Sequence, residues 1–263
     1  DVLKACALGA RGTYIGRAMV YGAAKIADKM FNAVTEGNQA TYKKYDDELG
    51  FYTPILKGFL TEMGLEAANL GIQVFGGHGY IGEHGMEQIA RDARISTLYE
   101  GTTGIQALDL LGRKVLLNTK GKCVRDFSGT ILRMAKPYAL QRTPMGQMMR
   151  TLARRTAQWN VLTTLIMLRA SKDREQVGSS SVDYLMYSGF VMMAYFWALQ
   201  AAKATELLAS GKGKESNDFY TAKIQTAEFY FARLLPRADG HYSAALAPTS
   251  AVMQMPQELF QMA

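Results

Sequence analysis

The sequence has little cysteine, proline and histidine: its 263 residues include two Cys, six Pro and three His. Cys6 and Cys123 lie far apart and form neither a CxxC pair nor a Cys/His ligand spacing, which argues against a disulfide framework or a zinc site. Such sparse cysteine is typical of a reducing compartment. We therefore predict a cytoplasmic protein with no metal site.

Runs of alternating β-branched residues are also absent, whereas apolar residues recur at helical spacing through most of the chain. One stripe contains Leu56, Leu60, Met63, Ala67 and Leu70. A hydrophobic content of 48% is sufficient for a substantial core. We predict an all-α protein with two helical units, residues 1–117 and residues 118–263.

The same periodicity predicts where the helices begin and end. A first helix ends near Phe31, a polar connection covers residues 33–50, and a second helix begins near Pro54 and ends at the Gly76-Gly77 turn. Thr102 or Thr103 caps a later helix. Further helices are predicted at residues 86–96, 123–136, 145–171, 183–210 and 216–235.

One stretch, residues 184–202, has no formally charged residue over a length that could cross a bilayer. Its three Tyr, together with Ser, Gly and Gln, are spread along the stretch instead of forming two interfacial belts. This distribution favours a buried core helix over a membrane span.

Positive charge is concentrated in the second half of the chain. The net charge is +7, of which residues 118–263 contribute +8 and residues 1–117 contribute −1. Such an excess suits nucleic acid, an acidic ligand or an acidic partner surface. Arg150, Arg154 and Arg155 form a local cluster, for which a solvated helix face is expected because aromatic residues do not interleave with the arginines.

Residues 73–114 combine Gly-rich turns with one carboxylate, Glu100, just before a predicted helix start. Backbone amides in such turns can hold a phosphate, and a nearby carboxylate can act as a base. Because Leu98 and Tyr99 precede Glu100, we expect its side chain to be buried among apolar neighbours, which would raise its pKa. The alternatives are structural: Glu100 stabilises a helix dipole, and the glycines cap a helix.

Three motifs in this region occur in a specific order: QVFGGHGY from Gln73, RDARI from Arg91, and YEGT from Tyr99, followed by Ile105 and Gln106. In order and spacing they resemble the C-terminal signature of the flavin-dependent acyl-CoA dehydrogenases. The sequence of these motifs is most similar to that of a bacterial branch of larger family members, which carry an added C-terminal helical domain. Residues 118–263 would be that addition.

The resemblance implies FAD as the cofactor and an acyl-CoA as the substrate, which is converted to a trans-2-enoyl-CoA. Glu100 would be the base that removes the α-proton, and Gly101 would bind the substrate by allowing the acyl chain to approach. The resemblance places cofactor contacts at eight residues, the first five facing the FAD of a neighbouring subunit: Gln73, Val74, Phe75, Gly76, Gly77, Thr102, Thr103 and Gly104.

The resemblance also implies a longer parent enzyme, because the family's N-terminal helical and β domains supply most of the FAD site and do not occur in these residues. This chain alone would then be inactive. A homodimer or homotetramer is expected, with an electron-transfer flavoprotein as electron acceptor. For residues 118–263 two hypotheses stand: a structural element that covers the active site or builds the dimer, which we favour, and a nucleic-acid-binding domain.

Overall fold

The computed structural model describes residues 2–261, with side chains described for residues 16–252 and 254–259. This part of the chain contains helices and no β-strand, which confirms the all-α prediction. The helices are α1 (Val2–Thr35), α2 (Gln39–Phe75), α3 (Met86–Ile95), α4 (Thr103–Leu108), α5 (Lys122–Ala135), α6 (Pro144–Ala170), α7 (Glu175–Ser210), α8 (Asn217–Phe229), α9 (Ala238–Ala245) and α10 (Ser250–Met253).

Helices α1 and α2 form an antiparallel pair joined by only three residues, 36–38. The side-chain oxygen of Asn38 caps α2 by accepting a hydrogen bond from the Thr41 amide at 3.0 Å. The predicted connection over residues 33–50 is therefore wrong. So is the predicted helix start near Pro54, which lies inside α2.

The polar stretch at the start of α2 is helical because its few apolar residues lie on one face. Tyr45 and Leu49 pack against the core, while Lys43 and Asp47 form an exposed i,i+4 ion pair at 2.9 Å. Polarity alone suggested a loop, but this spacing is that of an amphipathic helix.

Helix α7 is the centre of the bundle and packs against α2, α4, α6, α8 and α9. It begins eight residues before the predicted start, because the SSS segment continues the helix: the Ser180 hydroxyl donates to the Ala245 carbonyl at 2.7 Å. By length and apolar composition α7 could cross a membrane. Most residues of its apolar stretch, however, are buried within the bundle. This burial agrees with the core helix predicted at residues 184–202.

Helix α4 continues into a π-helical segment (Asp109–Asn118) that buries Leu110, Leu111 and Val115. The chain then turns through Lys120 and Gly121, both at positive φ. A single apolar core includes residues from both sides of this turn. The proposed division between residues 117 and 118 stays a prediction.

The short helix α9, which the sequence did not predict, is attached by charged pairs. Arg237, just before it, makes a bidentate contact with Glu66 of α2, and Asp239 does the same with Arg155 of α6. Arg155 is therefore buried, not part of a solvated basic face as expected. The predicted cluster of Arg150, Arg154 and Arg155 therefore does not form one continuous basic surface, because Arg155 lies in the interior.

Candidate functional site

Glu100 lies in the turn between α3 and α4, where the backbone adopts two consecutive left-handed conformations. Its φ is 55°, which is uncommon for a residue with a side chain, and the φ of Gly101 is 92°. A Cβ on Gly101 would lie 2.7 Å from Nε2 of Gln106, the atom that donates to the Glu100 carbonyl at 3.2 Å. The turn therefore requires glycine at position 101.

The Glu100 side chain is exposed to solvent in this chain. Leu98 and Tyr99 beside it are also 47% and 51% exposed. The expected burial among apolar neighbours is wrong for this chain, because none of its described helices covers the outer face of the turn. The predicted position of Glu100 just before a helix is confirmed, since α4 begins at Thr103.

Two side chains of α2, Lys57 and Glu62, contact this turn and anchor it to the helix. The Lys57 ammonium donates to the Ser96 carbonyl at 2.6 Å and lies over the Tyr99 ring, 5.4 Å from its centroid. The Glu62 carboxylate accepts a hydrogen bond from the Thr103 hydroxyl. The residues before and after Glu100 are thus both anchored to one helix.

The two threonines after Glu100 have separate roles. Thr102 is the N-cap of α4, and its hydroxyl accepts a hydrogen bond from the Ile105 amide at 3.4 Å. Thr103 is the first residue of the helix and bonds to Glu62. Of the two predicted capping residues, Thr102 is therefore the one that caps, while the half-buried Gly104 follows inside the helix.

The GGHG turn follows the C-terminal end of α2. Gly76 has a φ of 59° and its amide donates to the Gln73 carbonyl, so it caps the helix. A Cβ added to Gly76 or Gly77 would meet no atom within 4 Å, so the space beside this backbone is open. Gln73 and Phe75 are exposed and Val74 is half-buried.

The two groups of predicted site residues lie at different places along α2. Thr103 contacts the helix at Glu62, whereas the GGHG turn begins at Gly76, 14 residues later. At 1.5 Å per residue this separation is roughly 21 Å. The structure therefore brings Glu100, Gly101 and residues 102–104 together, and keeps residues 73–77 apart from them.

Nine large apolar side chains between the GGHG turn and α4 are at least 42% exposed. Where exposed apolar side chains adjoin one another, they are typical of an interaction site. The nine residues are Phe75, Tyr80, Ile81, Ile89, Ile95, Leu98, Tyr99, Ile105 and Leu108.

Sequence analysis missed Lys57 and Glu62, the anchors of the turn. Their partners lie 39 and 41 residues away in the chain, so local spacing gives no signal for either contact. His78 and His84, by contrast, are close both in sequence and in space, with ring centroids 5.2 Å apart. The described residues contain no group of three or more potential metal ligands around them.

Comparison with protein-family models identifies both halves of the chain. Residues 4–116 match the model described as "Acyl-CoA dehydrogenase, C-terminal domain". Residues 126–256 match the model described as "Acetyl-CoA dehydrogenase C-terminal like". Together the two models account for most of the sequence.

Curated relatives have the same family names. The chain is 36% identical over 193 residues to a 3-methylmercaptopropionyl-CoA dehydrogenase of Ruegeria pomeroyi, an alignment that covers 73% of this chain and 32% of that protein. It is 31% identical over 189 residues to a broad-specificity linear acyl-CoA dehydrogenase of Mycobacterium tuberculosis, with coverages of 70% and 31%. The chain thus spans about a third of the length of these relatives.

Among solved structures, the fold is similar to that of an acyl-CoA dehydrogenase from Bacillus anthracis, crystallised in complex with FAD. The TM-score is 0.68 at 17% sequence identity, and the match covers 98% of this chain and 43% of that one. The sequence motifs, both family models, the curated relatives and the fold agree. The chain belongs to the acyl-CoA dehydrogenase family.

Proposed function

We propose that this chain is the C-terminal part of an FAD-dependent acyl-CoA dehydrogenase and carries its catalytic base, Glu100. The observation that carries the proposal is the conformation of the Glu100 turn. The backbone of this glutamate is held at positive φ, is followed by a glycine at positive φ and is anchored on both sides to α2, while the carboxylate is exposed on the surface.

In the proposed reaction the Glu100 carboxylate takes the α-proton of the acyl-CoA, leaving the bonding electrons to form the α,β double bond. FAD, when bound, supplies the acceptor for the hydride that leaves the β-carbon. The product is a trans-2-enoyl-CoA, and the proton remains on Glu100. Gly101 has no side chain to obstruct the acyl chain beside that carboxylate.

A solvent-exposed carboxylate is a weak base for a carbon acid, so the turn has to be covered during the reaction. The exposed apolar side chains Leu98, Tyr99, Ile105 and Leu108 provide a surface on which another domain and the acyl chain can pack. Packing there removes water from Glu100 and disfavours its charged form, which strengthens it as a base.

The residues proposed to hold FAD fit a cofactor that approaches the backbone closely. The space beside Gly76 and Gly77 is open, and Gly104 likewise carries no side chain that could obstruct a ring at the turn. Because roughly 21 Å of α2 separates the two groups, we propose that they contact different FAD molecules in a homodimer or homotetramer. Residues 73–77 then face the FAD of a neighbouring subunit.

We further propose that an electron-transfer flavoprotein reoxidises the enzyme in the cytoplasm, as part of fatty-acid β-oxidation. One relative, 31% identical over 94 residues, is a subunit of a caffeyl-CoA reductase–Etf complex of Acetobacterium woodii, which supports that class of partner.

The test uses the full-length FAD-bound enzyme under anaerobic conditions and follows flavin absorbance after a straight-chain acyl-CoA is added. The wild type is expected to bleach within one turnover. Glu100→Gln is expected to keep its bound flavin and to bleach at least about 10³-fold more slowly, because it removes the base. Glu83→Gln, an exposed glutamate outside the turn, is the matched control. Bleaching by Glu100→Gln at the rate of that control would refute the assignment.

A further inference from the structure

The motif that contains Glu100 also contains Gln106, a glutamine that the proposed reaction does not use. Gln106 is the fourth residue of α4 and is half-buried. Its backbone amide donates to the Thr102 carbonyl at 3.0 Å, and its side-chain amide donates to the Glu100 carbonyl at 3.2 Å. One residue of α4 therefore holds two carbonyl groups of the turn that carries the proposed base.

The other anchors of this turn do not reach Glu100 itself. Lys57 contacts the chain before Glu100, and Glu62 contacts the chain after it. Among the side chains that the structure describes, only that of Gln106 forms a hydrogen bond with Glu100. This contact determines how the peptide group between Glu100 and Gly101 is oriented.

The peptide group between Glu100 and Gly101 needs such a restraint, because the two residues have positive φ values of 55° and 92°. A left-handed conformation is unfavourable for a residue with a side chain, and it persists only where surrounding contacts hold it. Glycine at position 101 permits many backbone conformations, so it does not by itself keep the Glu100 carbonyl in one direction. Without the hydrogen bond from Gln106, the turn can relax and displace the Glu100 side chain.

The base of the Gln106 side chain lies where three helices approach one another closely, since α4 packs against both α2 and α7. At this point α2 carries Gly58, which is buried. A Cβ added to Gly58 would lie 3.5 Å from the Gln106 Cβ and 2.8 Å from Cδ1 of Leu185, which is 0% exposed. The core of the bundle thus fixes the Cβ from which the amide reaches the Glu100 carbonyl.

We propose that Gln106 is a positioning residue for the base: its amide holds the Glu100 carbonyl and thereby sets the direction in which the Glu100 carboxylate meets the α-carbon of the acyl-CoA. This role rests on the proposed function of Glu100. Because Gln106 acts through the backbone of Glu100, its loss slows removal of the α-proton and leaves the binding of acyl-CoA unchanged.

Rapid mixing of the full-length FAD-bound enzyme with a straight-chain acyl-CoA, under anaerobic conditions, separates these two effects. The limiting rate of flavin reduction reports the chemical step, and its dependence on acyl-CoA concentration reports binding. Gln106→Met keeps the length of the side chain and removes the donor. Its limiting rate is expected to fall at least about tenfold, because a displacement of about 1 Å can cost roughly 10²-fold. Its dissociation constant for acyl-CoA is expected to stay within about threefold of the wild-type value.

Two further variants separate the hydrogen bond from the shape of the side chain. Gln200→Met, the same change at a half-buried glutamine of α7, is the matched control and is expected to reduce flavin at the wild-type rate. Gln106→His places a ring N–H donor at the same number of bonds from Cα as the glutamine amide, so it is expected to recover most of the rate. Equal losses in Gln106→Met and Gln106→His, or a Gln106→Met enzyme as fast as Gln200→Met, would overturn the proposal.

A crystal structure of full-length Gln106→Met tests the position of the turn independently of activity. The Glu100 carbonyl is expected to rotate away from its wild-type direction. An unchanged turn would overturn the role of Gln106 and leave the proposed function of Glu100 standing. Flavin reduction by Glu100→Gln at the wild-type rate would instead refute the proposed base, and the role of Gln106 with it.

Discussion

Helix α7 and the turn around Glu100 both have sequences rich in large apolar residues, but they use them differently. In α7, Tyr184, Tyr187 and Phe190 are enclosed by neighbouring helices. Beside Glu100, Leu98 and Tyr99 are about half exposed, although the backbone of their turn is fixed by Lys57 and Glu62. The difference indicates that α7 holds this chain together, whereas the turn is built to be completed by something else.

Helix α2 connects the two regions and belongs to both. Its middle packs on α7, where Phe59 meets Phe190 edge to face at 5.1 Å. Its C-terminal end carries Phe75, which is exposed, into the GGHG turn. A rigid helix that is buried in the core along one part of its length can hold a surface turn in a defined position at another part.

The largest effect is expected from the buried part of α2. Phe59 is 0% exposed and Phe75 is 48% exposed, so the pair compares the two regions within one helix. Phe59→Ala is expected to lower the free energy of unfolding by about 3 to 5 kcal/mol because it leaves a cavity against α7. Phe75→Ala is expected to cost less than about 1 kcal/mol. Urea denaturation measures both, and equal losses would contradict the comparison.

A smaller effect is expected where α9 is attached to the core. Asp239→Asn leaves the Arg155 guanidinium, 5% exposed, without its charged partner. Because the Asp239 side chain is 58% exposed, solvent screens the pair, and we expect a loss of about 1 to 2 kcal/mol in the free energy of unfolding. Denaturation with urea at neutral pH measures this loss.

The same pair predicts a dependence on pH. The hydrogen bond from Arg155 lowers the pKa of Asp239 in the folded state. The stability that the charged Asp239 contributes through this pair is therefore fully present above the unfolded-state pKa of about 3.9. It is lost as the pH falls through the lower pKa of the folded state. The difference in stability between wild type and Asp239→Asn should shrink as the pH falls below about 4. A difference that stays constant over this range would contradict the assignment.

The smallest effect is expected at the turn itself. Thr102→Ala removes the N-cap of α4 and is expected to destabilise that helix by about 1 kcal/mol, whereas Thr102→Ser keeps the hydroxyl. Amide hydrogen exchange at Ile105, which donates to Thr102, should accelerate in the Ala variant alone. Acceleration in both variants would mean that the methyl group, and not the cap, stabilises the helix.

The sequence predicted the elements whose signals are local. The glycine turn after α2, the helix start at Thr103 and the helix over residues 86–96 all follow from caps and spacing within a few residues. The long polar start of α2 was missed, because composition was given more weight than the spacing of Tyr45 and Leu49. Helix α9 was missed as well, because it depends on charge pairs with residues distant in the chain.

The candidate site shows the same limit. Glu100 and its glycine were found from motif and local chain order, but their support by Lys57 and Glu62 depends on contacts across about 40 residues. The exposure of Glu100 also could not be predicted, since burial depends on which surfaces meet the turn and not on the apolar character of its neighbours.

The most direct test of the central claim is exchange of the α-proton itself. The full-length FAD-bound enzyme is incubated in deuterium oxide with a 3-thia-acyl-CoA, whose β-position carries sulfur and cannot lose a hydride, and deuterium at the α-carbon is followed by NMR. Wild type and Glu83→Gln are expected to introduce deuterium, whereas Glu100→Gln is expected to introduce none above the uncatalysed rate. Deuterium incorporation by Glu100→Gln at the wild-type rate would contradict the assignment of Glu100 as the base.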